Sequence, residues 1–133
     1  MMWLRCFFIS FIVFSVIDLI WLGIVAQGFY QHFIGHLMRE SPFWPAAFLF
    51  YFFFILGLMV FVIQPAIQQQ STRNAFFKGA FFGFITYMTY ELTNWAVLAS
   101  WPAGIVLPDI LWGMLLCSSV SFLSTKIYLH FFN

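Results

Sequence analysis

The chain has 133 residues, of which 64% are hydrophobic, 24% aromatic and only 7% charged, with a formal net charge of +1. A soluble domain carries roughly 25% charged residues, and a chain this short buries a limited share of its surface, so the composition excludes a globule dissolved in water and leaves lipid as the solvent. The small net charge, with no basic or acidic block, excludes a nucleic-acid surface and a solvated tail.

The N-terminal stretch has the outline of a secretory signal: Arg5, an apolar run and the small residues of Ala26-Gln27-Gly28. The apolar run resumes past Asp18, however, and reaches the ~20 residues that span a bilayer. A retained transmembrane helix over 4–26 is therefore expected. The next stretch, 29–40, sets Phe29, Tyr30, Phe33, Ile34, Leu37 and Met38 on one helical face and Gln31, His32, His36, Arg39 and Glu40 on the other, the pattern of an amphipathic helix lying in the membrane interface. A charge-free segment, 43–63, is expected as the second span and the one most exposed to lipid, with Pro45 near its start and Gln64-Pro65 ending it. A polar connection precedes the third span, 76–99. The turn Ser100-Trp101-Pro102-Ala103-Gly104 leads into the fourth, 105–129.

Helices are required because unpaired backbone groups cannot face lipid. The fold expected is thus an all-α membrane protein, one domain over 1–133, forming a four-transmembrane-helix bundle with an amphipathic interfacial helix between helices 1 and 2. Arg5, Arg73, Lys78 and Lys126 then share one side and Arg39 stands alone on the other, which puts both termini in the cytoplasm. Cys6 and Cys117 fall inside different apolar segments at different depths, so no disulfide joins them in this reading. The recurrence of Trp-Pro-Ala at Trp44 and Trp101 hints at two related helical hairpins, with chance a serious competitor in so aromatic a chain.

Three acids interrupt the apolar segments: Asp18, Glu91 and Asp109. Carboxyls in a membrane are costly and face an interior or a cavity. Asp18 and Glu91 each lie about eight residues, ~12 Å, before the outer ends of parallel helices, so the pair is expected at equal depth. Tyr87, Tyr90, Glu91 and Asn94 share a face of the third helix, and Trp21 and Trp112 each lie three residues beyond an acid. The candidate site is an outward-half polar and aromatic pocket of Asp18, Trp21, Tyr87, Tyr90, Glu91, Asn94, Asp109 and Trp112.

Plainer roles compete. Asp109 after Pro108 suits the first turn of a helix and its dipole. Asp18 can tie helices together by bonding Asn94 or Thr93. The tryptophans suit an interfacial belt. His32, His36 and Glu40, at i, i+4 and i+8, are a weak metal motif and otherwise just the wet face of the amphipathic helix. Gly79 and Gly83 form a GxxxG pair, usable for close packing or for self-association. Ser118, Ser119, Ser121 and Ser124 suggest a small, weakly polar packing face on the fourth helix. No nucleophile or cofactor motif is present.

The ordered motifs Asp18-Leu19-Ile20-Trp21-Leu22-Gly23, Gly28-Phe29-Tyr30, Glu91-Leu92-Thr93-Asn94, Trp101-Pro102 and Asp109-Ile110-Leu111-Trp112-Gly113 resemble those of an uncharacterised bacterial membrane family, the domain of unknown function DUF2177. The resemblance covers nearly the whole chain. Glu91 stands where that family more often has Asp, which keeps the acid. The resemblance implies a four-helix protein of the bacterial inner membrane and brings no activity with it. On function, the residues favour binding or modifying a lipid or other amphiphile, or an accessory role beside another membrane protein. The alternative is a small proton-coupled transporter of amphiphilic cations, with membrane lipids the natural surroundings of either.

Overall fold

The computed structural model describes residues 1–132, which form helices and connections, with no strand among the described residues. Helix α1 (Met2–Ile20) runs on through a π-helical turn, Trp21–Val25. Helix α2 (Gln27–Ile34) and a 3-10 turn, Gly35–Leu37, form the first connection. Helix α3 (Trp44–Leu58) continues through a second π-helical turn, Met59–Ile63, into α4 (Gln64–Gln68). Helices α5 (Thr72–Val97) and α6 (Ala103–Phe132) complete the chain.

The elements are longer than the sequence suggested, each for a local reason. Pro65 does not end the second rod. A proline lacks an N–H and crowds the carbonyl one turn back, and the wide turn Met59–Ile63, closed by Gln64 N–H to the Met59 carbonyl, makes room for it. Gln70, at φ 52°, then stops α4, and Ser71 caps α5, its hydroxyl accepting from the Asn74 amide at 3.1 Å. Helix α6 begins at Ala103, so Pro108 lies inside it and Asp109 is well past the first turn. The dipole role for Asp109 is corrected accordingly, since that effect fades beyond the first turn.

Three helical stretches are long and apolar enough to cross a membrane: Met2–Val25, Trp44–Gln68 and Ala103–Phe132. Helix α5 has 26 residues but is less apolar, carrying Arg73, Lys78, Glu91 and several tyrosines and threonines. The expectation that the charge-free second segment is the most exposed is also corrected. Of the most apolar 18 residues in each stretch, 17% are buried in Met2–Val25, against 28% in Trp44–Gln68 and 61% in Ala103–Phe132. Helix α6 is the central rod and α1 the peripheral one.

Neighbouring rods run antiparallel. Arg5 sits over the Phe132 ring at 4.6 Å and Trp21 stacks on Trp112 at 4.1 Å, which sets α1 against α6 in opposite directions. Gly79 faces Cys117 and Ser121, Gly83 faces Gly113, and the Tyr87 ring covers Gly113, so α5 and α6 form a tight hairpin. A Cβ at Gly83 would come within 2.1 Å of the Gly113 carbonyl oxygen and one at Gly79 within 2.6 Å of that of Cys117. Helix α6 therefore packs on the glycine pair from within the chain.

The amphipathic segment also departs from expectation. Regular helix ends at Ile34, the 3-10 turn ends at Leu37, and Glu40 lies beyond both, so His32, His36 and Glu40 do not share one helical face. No group of three His, Cys, Asp or Glu able to hold a metal occurs among the described residues. The apolar face of α2 is not turned to lipid. Phe29, Tyr30, Phe33 and Ile34 pack on Trp101, Ile105, Val106 and Ile110, with Phe33 seated on Gly104.

Candidate functional site

Helix α2 clamps the start of α6, and that clamp positions the first half of the site. Tyr30 reaches from α2 to donate its hydroxyl proton to Asp109 Oδ1 at 2.6 Å, and it accepts from Trp21 Nε1 at 3.4 Å. Trp21 is brought there by the π-helical turn that follows Asp18, and its ring lies flat on Trp112, with 8° between the planes. Asp109, 5% exposed, is thus held at the end of a Trp21–Tyr30–Asp109 chain whose other end, Trp21, is stacked on Trp112.

Burial, then the hydrogen bond to Asp109, push the Tyr30 phenol above its ordinary range. A raised value favours the neutral phenol in the folded protein. The associated stability is full below the ordinary tyrosine value of ~10 and declines as pH climbs above it. Tyr30→Phe should lower stability by roughly 1–3 kcal/mol at neutral pH, because it strips a buried carboxyl of its donor. Thermal unfolding followed from pH 7 into the alkaline range checks both points. The deficit of the variant should narrow above pH ~10. A constant deficit would mean that the fold does not hold the phenol in its neutral form.

Glu91 forms the second half. It is fully buried on α5, and Oε1 accepts from Trp101 Nε1 at 3.0 Å, across the turn that joins α5 to α6. Its other oxygen, Oε2, is buried without a hydrogen-bond partner. Asp109 is the acidic neighbour of Glu91. Tyr90, half exposed, sets its ring edge-on to Trp101 at 5.9 Å.

The expected pairing of Asp18 with Glu91 is corrected. Asp18, 7% exposed, accepts a hydrogen bond from Tyr51 of α3. Glu91 instead shares its surroundings with Asp109 because the tight α5–α6 hairpin sets those two helices closest. Asn94 closes the last turn of α5 through its carbonyl, which accepts from Leu98 N–H at 2.8 Å.

A cavity of about 360 Å³ lies against this network, lined by Phe50 and Phe54 of α3, Thr86, Tyr87 and Tyr90 of α5, and Asp109 of α6. Phe54 touches Phe82 and Tyr87, at 5.5 and 6.3 Å between ring centres, and marks where α3 and α5 meet. The lining side chains that reach the surface are Phe50, 48% exposed, and Tyr90, 53% exposed, and they form the mouth of the cleft. The polar hydroxyl of Thr86 is turned back onto its own helix, bonding the Phe82 carbonyl at 2.9 Å. The walls are therefore mainly hydrocarbon and aromatic, with the phenols of Tyr87 and Tyr90 among them, and the buried carboxyl of Asp109 is the acidic group of the lining.

Three participants went unrecognised in the sequence. Tyr51 had a signal, being the lone residue with a side-chain hydroxyl between 43 and 63, and a buried tyrosine hydroxyl finds a partner. Tyr30 was read as part of an apolar face and Trp101 as belt, and nothing local to either predicts its distant carboxyl.

No curated protein and no solved structure is significantly similar to the chain. A family model described as predicted membrane protein (DUF2177) matches residues 3–126, and the chain belongs to that family.

Proposed function

We propose that the chain crosses the bacterial inner membrane four times, with both termini cytoplasmic, and binds a lipid or other amphiphile in the cleft between α3 and α5 from the outer-leaflet side. The cavity carries this reading: an apolar, aromatic slot of about 360 Å³, open past Phe50 and ending on a buried carboxyl, matches the two-part chemistry of an amphiphile. Four crossings are supported by the Arg5–Phe132 contact, since two ends lying together require an even number of passes. Helix α5, at ~39 Å, is long enough to be one of them, with Gly79, Gly83 and Glu91 buried against its neighbours. The bias of Arg and Lys supports an outward-half position for the cavity.

Cysteine accessibility in cells tests the topology. A cysteine at Gln69 should be protected from an impermeant reagent, and one at His36 should react. Labelling of both from the same side would overturn it. Native mass spectrometry from mild detergent tests the cleft. Phe50→Trp, which enlarges the ring at the mouth, should reduce retained lipid about fivefold with little change in thermal stability, because about 1 kcal/mol separates such occupancies. Unchanged retention would place the lipid elsewhere. Turnover of lipid by the isolated protein would add chemistry to binding, and stoichiometric co-purification with another membrane protein would favour the accessory role.

A further inference from the structure

We propose that the amphiphile taken by this cleft carries a cationic head, an amine or quaternary ammonium, and that Asp109 is its counter-ion; the inference rests on the cleft being an amphiphile site. The first support is the distribution of charge. None of the residues lining the cavity is basic. The basic side chains are exposed and engaged elsewhere: Arg5 over Phe132, Arg39 over Phe43, Arg73 over Phe77 and Lys126 over Phe122. Lys78 is exposed, three turns before Glu91 on α5.

The second support is the state of the acids. Asp109 receives one hydrogen bond, from Tyr30, and Glu91 one, from Trp101, and both donors are neutral groups. A phosphate or carboxylate head entering here would meet the Asp109 carboxyl and no positive charge, and would lose its hydration without return. An ammonium meets the opposite situation. It finds a carboxyl at the inner end and the rings of Tyr87, Tyr90, Phe50 and Phe54 as walls, and aromatic faces attract a desolvated cation. The Thr86 hydroxyl is spent on its own helix, so a neutral sugar or glycerol head would find only the Tyr87 and Tyr90 hydroxyls beside the carboxyl.

The test uses full-length protein in a neutral detergent and four probes: myristyltrimethylammonium, myristyl phosphate, myristyl alcohol and the chainless tetramethylammonium. Binding is read by native mass spectrometry and by the shift in unfolding temperature. Myristyltrimethylammonium should bind about tenfold or more tighter than the phosphate and the alcohol, a margin in keeping with a desolvated ion pair plus aromatic contact. Asp109→Asn should erase that margin while leaving the alcohol unchanged. Equal binding of all three heads, or a preference for the phosphate, overturns the cationic head and leaves the amphiphile cleft standing. Failure of every chained probe removes the cleft as well. Tetramethylammonium binding as tightly as its chained counterpart would make the ligand a free organic cation and overturn the amphiphile. Should Asp109→Asn not fold, the ranking of heads on the unaltered protein decides the matter, and Phe50→Trp supplies the second variant. It should weaken all chained probes by the same factor, and a selective loss of the ammonium alone would place its head at the mouth, away from Asp109, and overturn the assignment.

Discussion

Gly83→Ala will be the most damaging single-methyl change in the protein. The added carbon falls 2.1 Å from the Gly113 carbonyl oxygen and 3.0 Å from Cys117 Cβ, so the obstacle is backbone and cannot swing aside. Helices α5 and α6 must separate, and with them go the seat of the Tyr87 ring on Gly113 and the shared setting of Glu91 and Asp109. Overpacking costs roughly 1–3 kcal/mol, and a clash with main chain belongs at or above the top of that range. Gly23→Ala and Gly28→Ala make the matched controls, because a Cβ at either meets nothing within 4 Å. Thermal unfolding in detergent should show a large loss for Gly83→Ala and almost none for the controls. A loss at Gly83 no greater than at Gly23 would mean that the two helices are not in such close contact.

Trp101→Phe is expected to be nearly as harmful, for an electrostatic reason. Glu91 is fully buried, Oε2 has no hydrogen-bond partner, and the Trp101 indole is the donor that serves Oε1. Without it the carboxyl has no donor, and a buried acceptor left unmade costs about 1–3 kcal/mol, more if charged. The same principle supplies the control. In a Glu91→Met background no carboxyl needs the indole, so adding Trp101→Phe should cost much less there than in the native chain. Equal losses in the two backgrounds would assign the role of Trp101 to its ring, packed on Ile105 and edge-on to Tyr90, and not to its N–H.

The sequence carried the membrane character, the helical rods and the identity of the interior acids, because lipid imposes its rules locally: apolar length, helix and costly charge can each be read within a short window. It misjudged what depends on pairing. Asp18 and Glu91 match in depth along their own helices, yet depth says nothing about rotation or about which rods touch, and the glycines that bring α5 onto α6 give Glu91 to Asp109 instead. Pro65 was read as a terminator because the widening of the preceding turn leaves no mark on composition. Helix α2 shows how a correct amphipathic pattern can mislead. Phe29 and Phe33 are the apolar face foreseen, but an apolar stripe does not state whether lipid or another helix covers it.

The contact between Arg5 and Phe132 also bears on how the gene could be rearranged. The antiparallel alternation of the rods returns the Gln69–Ser71 turn to the end of the molecule where the chain starts and finishes. A circular permutant that opens at Thr72, with the old ends joined by a short flexible linker, would thread every rod in its original direction and emerge on its original side. Opening the chain in the Leu98–Pro102 turn would instead move both new ends to the opposite face and reverse the direction of insertion. The first permutant should reach the membrane folded, and the second should be rejected or inverted, although both contain the same helices in the same cyclic order.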